Sequence, residues 1–143
     1  MHHFFEFVLR HWALCGLFIL LISLLLFEET RSNGMQARLS PQAATQLING
    51  DNAKILDIRS PSAFEKGHII GAKQYSAEAL KGGNNDKINK HKDRAILIVC
   101  ANGQTSSAVF SKMKKQGFKQ LAILAGGMSK WQQDNLPVIK GKK

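Results

Sequence analysis

Hydrophobic residues fall in two different patterns along this chain. Residues 12–27 read WALCGLFILLISLLLF, from Trp12 at the start to Phe27 at the end, without a charge. After that the apolar positions come in short runs separated by polar turns. Ser40 before Pro41 is an N-cap with proline at the first helical position. Ala43, Ala44, Leu47 and Ile48 continue at helical spacing until Asn49 and Gly50 stop it. Lys54, Ile55, Leu56, Asp57 and Ile58 predict a strand. Ser60-Pro61 opens a helical turn through Phe64 that Gly67 closes. Residues 72–75 fit a short strand, and 77–92 fit short helices around the Gly82-Gly83-Asn84 turn. The five apolar residues 95–99 predict a central strand buried on both faces. A helix with Ala108, Val109 and Met113 on one stripe follows, ended by Gln116-Gly117. Residues 121–124 give another strand, and Gly126-Gly127 turns into a last helix bearing Trp131. Strands alternating with helices predict an α/β domain, a parallel sheet with helices on both faces.

The uncharged run suits a membrane. Its sixteen residues would make a helix of roughly 24 Å, so Arg10 and His11 must sit near an interface of a hydrocarbon core about 30 Å thick. The competing reading is a cleaved secretory signal, but no small-x-small site follows Phe27; Glu28, Glu29, Thr30 and Arg31 follow instead. The expected organisation is therefore a transmembrane anchor over 1–28, a polar linker over 29–36 and a folded domain over 37–143 with a flexible basic tail. Charges flanking the span nearly cancel and leave its orientation open. A cytoplasmic domain on a bacterial-type inner membrane, crossing once, is favoured because a free cysteine in the folded part survives better among reduced thiols.

Composition narrows the function. The 143 residues hold one domain plus an appendage, and the net charge is +10. Of the 20 basic residues 18 lie beyond Gly34, with 7 of the 10 acids, so the folded part is strongly basic. That charge fits attraction to an anionic membrane surface or an ordinary solvated face. The basic residues are scattered and lack interleaved aromatics, which argues against nucleic acid. Cys15 lies in the apolar run and Cys100 in the folded part, so the two cannot pair within one chain, and a lone thiol there fits chemistry better than a disulfide framework.

Cys100 ends the central strand, where open parallel sheets bind ligands. The loop Cys100-Ala101-Asn102-Gly103-Gln104-Thr105 then opens a helix, so backbone N–H groups can converge on the sulfur and favour thiolate. Such a thiolate can attack a sulfane sulfur donor and hold the transferred atom as a persulfide until a thiol acceptor removes it. Gly103 permits close approach, and Thr105 offers a hydroxyl. An inert buried cysteine ending a strand is the plainer alternative.

Leu56-Asp57-Ile58-Arg59, then Phe64-Glu65-Lys66-Gly67-His68-Ile69-Ile70-Gly71-Ala72, then the Cys100 loop and Ala125-Gly126-Gly127 before Trp131, resemble a rhodanese homology domain over roughly residues 39–137. The resemblance implies a rhodanese-like three-layer fold with a parallel five-stranded sheet. It implies thiosulfate or another sulfane donor as substrate, a thiol or cyanide as acceptor, and no metal or organic cofactor. Cys100 would be catalytic, with Ala101, Asn102, Gly103, Gln104, Thr105 and Ser106 around the substrate. The family's loop commonly reads C-R-x-G-x-[R/T]. Cys100, Gly103 and Thr105 match it and Ala101 does not, which removes a charge that would assist anionic donors. Related phosphatases end a longer loop in Arg; Ser106 holds that place, which argues against phosphoester hydrolysis. Asp57, Arg59 and His68 are read as structural residues near the site, and Trp131 and Phe118 as core. Two functions follow: a sulfurtransferase working through Cys100, or a membrane-tethered docking module that binds a membrane protein or thiol carrier and turns over little.

Overall fold

The computed structural model describes Glu6 and residues 10–35, 38–83 and 85–142, with the side chains of all but 27–35. Two compact units divide the chain, Met1–Gln36 and Ala37–Lys143.

The first unit contains α1, Trp12–Met35. Every described side chain from Trp12 to Leu26 is exposed except half-buried Cys15, so this apolar stretch of α1 points its side chains outward all round. These side chains span roughly 22 Å, short of a hydrocarbon core of about 30 Å. Among the described residues no helix is long and apolar enough to cross a membrane. The anchor expected over 1–28 therefore gains no support here; of that stretch, residues 1–5 and 7–9 and the side chains of Phe27 and Glu28 lie outside the described ones. Through the segment expected as a linker, 29–36, the backbone is helical as far as Met35, because propagation adds a hydrogen bond for each residue it orders once a helix has nucleated. Residue 36 lies outside the described residues.

The second unit is a parallel α/β sandwich. In chain order its elements are β1 (Arg38–Leu39), α2 (Pro41–Gly50), β2 (Lys54–Asp57), α3 (Pro61–Lys66) and β3 (Lys73–Gln74). They continue with α4 (Ala77–Gly82), α5 (Asp86–Asn89), β4 (Ala95–Val99), α6 (Thr105–Lys115), β5 (Gln120–Leu124) and α7 (Gly127–Gln133). The five strands pair in parallel in the order β1-β5-β4-β2-β3. Two helices begin as the pattern requires, with Ser40 and Ser60 each accepting a hydrogen bond from the N–H three residues on, and Ser76 caps a third in the same way.

All five residues of β4 are buried, and alternate side chains serve opposite faces. Leu97 and Val99 join Ile55, Phe64, Leu124, Met128 and Trp131 in one core; Ile96, Ile98 and Cys100 join Leu56, Val109, Met113 and Phe118 in the other. Cys100 is thus the last residue of the face beneath α6.

Two sets of hydrogen bonds hold the C-terminal ends of these strands. Asp57 is fully buried and receives Arg59 Nη2 at 2.7 Å and Nε at 3.0 and 3.1 Å, while Arg59 Nη2 also donates to Gly67 O at 2.7 Å. The second set lies at α7, where Met128 N–H donates to Cys100 O at 2.8 Å and Ser129 N–H and Oγ to Ala101 O at 3.0 Å. Gly127 sits so close that a Cβ would lie 2.3 Å from Cys100 O, and its φ of +59° is left-handed.

Two stability effects follow from these ties. Arg59→Gln leaves a buried carboxylate without its guanidinium and should cost about 3–5 kcal/mol. Gly127→Ala adds a clash and a left-handed alanine and should cost about 2–4 kcal/mol. Urea unfolding of the full-length chain in detergent, followed by Trp131 fluorescence, measures both; a midpoint unchanged from wild type contradicts the assignment.

Candidate active site

The Cys100 sulfur is buried at the end of β4, and the loop that follows wraps around it. Gly103 N–H donates to Sγ at 2.9 Å. Gly103 has φ +85°, and a Cβ there would lie 3.1 Å from Gly126 N, so a bulkier residue would push the loop off α7. Because α7 engages the carbonyls of Cys100 and Ala101, the amides of the loop are left to face the sulfur.

That arrangement governs the thiol. Burial raises its pKa, but the Ser106 side chain and N–H, with the N–H groups of Asn102 and Gly103, more than offset this and hold it below the ordinary thiol range. Ser106 is itself fully buried, and its Oγ makes no hydrogen bond of regular geometry. A free hydroxyl rotor beside the sulfur makes at most a loose contact with a neutral thiol and is available to turn its O–H toward a charged one.

The other predicted residues divide by location. Gly103 and Ser106 line the sulfur. Ala101, Asn102, Gln104 and Thr105 are exposed on the rim, and Asn102 Oδ1 accepts from Gln104 N–H at 3.2 Å, which stiffens the loop. Asp57 holds Arg59 Nε and Nη2, and Nη2 also donates to Gly67 O, so that edge of the guanidinium is committed to the end of β2. The end of β2 still meets the end of β4 through Ile58 N–H to Val99 O at 2.9 Å. His68 is fully buried, and its ring stacks on Phe64 at 3.7 Å between centroids. Its Nδ1 lies 2.8 Å from Phe64 O. Phe64 belongs to the core on the far face of the sheet, so His68 lies across the sheet from Cys100. Phe118 and Trp131 are buried, the indole N–H donating to Pro137 O at 3.1 Å.

Sequence reasoning missed three contributors. Met128 and Ser129 act mainly through backbone N–H groups, which carry no side-chain signature; the adjoining Gly126-Gly127 pair was the available hint. Arg38 Nη2 donates to Ser107 Oγ at 2.7 Å, which puts a guanidinium at the first turn of α6 from the edge strand. Among the described residues no cluster of His, Cys, Asp and Glu suits a metal.

A family model for the rhodanese-like domain matches residues 40–134. Over 143 residues the chain is 31% identical to the uncharacterized protein YibN of Escherichia coli strain K12, covering 99% of this chain and 100% of that one. It is 33% identical over 89 residues to the thiosulfate sulfurtransferase GlpE of Pseudoalteromonas translucida, covering 61% of this chain and 80% of that one. Among solved structures, a rhodanese-related protein from Thermoplasma volcanium matches with TM-score 0.62 at 20% identity, over 71% of this chain and 96% of that one. A rhodanese-like domain from an Anabaena protein matches with TM-score 0.54 at 28% identity, over 61% and 98%. The strand-end cysteine and its amide-lined loop fall inside the matched region, and the chain belongs to the rhodanese-like domain family.

Proposed function

We propose that this protein is a membrane-anchored sulfurtransferase that carries sulfane sulfur on Cys100. The observation that bears most of this reading is the Gly103 N–H donating to a buried sulfur whose pKa is held down by its own loop. Such a thiolate attacks the outer sulfur of thiosulfate. A Cys–S bond forms, the bond to the sulfonate sulfur breaks, and sulfite leaves with that bonding pair. The terminal sulfur of the persulfide then carries the negative charge, facing the same N–H groups and the Ser106 hydroxyl. An acceptor thiolate, or cyanide in an assay, attacks that terminal sulfur and Cys100 departs as thiolate. No proton has to move at the enzyme sulfur in either half, which matches a loop built from N–H donors without a general base. The likeness to thiosulfate sulfurtransferases supports the donor class.

Anchoring is part of the proposal. A helix apolar on every described side finds its free-energy minimum in lipid or in a protein interior. Residues 12–27 are assigned to the inner membrane, with the Cys100 domain at its cytoplasmic face. Ala101 supports a second reading, a docking module with little turnover, because the position that commonly carries arginine is an exposed methyl group.

Incubating the full-length chain with thiosulfate in detergent should add one sulfur, about 32 Da by intact mass, reversibly with a reductant and not in Cys100→Ser. Failure of thiosulfate, polysulfide and low-molecular-weight persulfide alike would favour the docking module. The lowered thiol pKa sets a pH dependence as well. Thiolate, the reactive form, disappears as pH falls through the folded pKa, so the alkylation rate of Cys100 in a Cys15→Ser background should reach its plateau at lower pH than a free cysteine does. Ser106→Ala removes one of the groups holding the pKa down and should move the midpoint to higher pH; an unmoved midpoint would remove Ser106 from this role.

A further inference from the structure

A second concave site lies at the opposite end of the same sheet face. A cavity of about 280 Å³ is bordered by Lys54 at the start of β2, Lys73 on β3, and Lys87, Lys90 and His91 on α5 and the turn after it. Its apolar lining comes from Ile55, Leu56, Ile88, Ile96 and the Tyr75 ring. No residue of the Cys100 loop lines it. Ile96 and Cys100 are four positions apart on one extended strand, roughly 13 Å.

Charge is what sets this cavity apart. Four lysines converge, no acidic residue lines the cavity, and none of the four is ion-paired among the described residues. Acids are available to basic residues elsewhere: Lys119 meets Asp93 at 2.6 Å and Lys130 meets Asp134 at 3.0 Å. His91 feels the excess. Burial and then the charges of Lys54, Arg94, Lys73 and Lys90 lower its pKa. Convergent like charges oppose one another around the cavity, and a multiply charged anion removes that repulsion while it gains charge-assisted hydrogen bonds. A single carboxylate would leave most of the charge unbalanced. The volume suits a small ligand and sits just below the usual range for organic ligands.

We infer that the Lys54-Lys73-Lys87-Lys90 cavity is a binding site for a multiply charged, phosphate-bearing anion, separate from the Cys100 site. The shared chemistry is the phosphate group, carried either by a soluble metabolite or by a lipid headgroup. Its occupancy does not require Cys100 chemistry.

The test uses the full-length chain in nanodiscs, with the His91 ring pKa read by NMR and its signal identified by loss in His91→Gln. In neutral-lipid discs at ionic strength matched with potassium chloride, inorganic pyrophosphate should raise the His91 pKa saturably. Lys73→Gln and Lys87→Gln should each weaken that midpoint about tenfold, the value of one charge-assisted contact. Cys100→Ser should respond as wild type does. A rise in phosphatidylglycerol discs without pyrophosphate, lost in the same lysine variants, identifies the headgroup as the source; a rise with pyrophosphate alone identifies a soluble anion. A His91 pKa that follows ionic strength only, or that responds equally in the lysine variants, overturns the site.

Discussion

The hydrogen bonds from the start of α7 to the carbonyls of Cys100 and Ala101 are what the geometry around the Cys100 sulfur depends on. A loop leaving a strand end can present either carbonyls or amides to the residue it encircles. Carbonyls turned inward would oppose a thiolate; amides stabilise it. By engaging two carbonyls from outside, α7 settles which set faces the sulfur. The tight approach of Gly127 to Cys100 O and of Gly103 to Gly126 N follows from that contact, because backbone reaches backbone only where no Cβ intervenes.

The site is therefore electrostatic without a formal positive charge among its closest groups. Its donors are peptide dipoles and one hydroxyl, in a position dry enough that burial alone would raise the thiol pKa. The guanidinium of Arg59 is engaged by a buried carboxylate, where it holds the end of β2 against the turn at Gly67. Arg38, at the first turn of α6, stands further out on the edge strand. This distribution favours negative charge on the sulfur itself and places no formal positive charge among the closest groups. Uncompensated lysine charge is instead concentrated at the other end of the β2–β4 face, around a separate cavity.

Much of the domain was legible in the sequence. The serine N-caps, the unbroken apolar run of β4 and the glycines closing α3 and α6 report local constraints that a short window contains. Cys100 at the strand end was legible for the same reason, as was the amide-lined loop opening into a helix. The pattern yielded four strands, and the fifth came only through family resemblance, because Arg38–Leu39 is too short for any periodicity to register. The polar composition of 29–36 suggested a linker between the two units, and its backbone is helical to Met35: propagation is cooperative, and polar residues do not by themselves end it.

By itself the sequence determined which residues bury, where helices begin, and that one thiol sits where a parallel sheet presents chemistry. These properties are set by side-chain type and by neighbours within a few positions. Only the tertiary structure decided that Gly127 lies against Cys100 O, that Ser106 is sealed beside the sulfur without a regular partner, that His68 stands across the sheet, and that four lysines from three separate stretches share one cavity. Each of these is a meeting of groups far apart in the chain. Their distances follow from strand order and from the face each residue takes, and no local pattern encodes those.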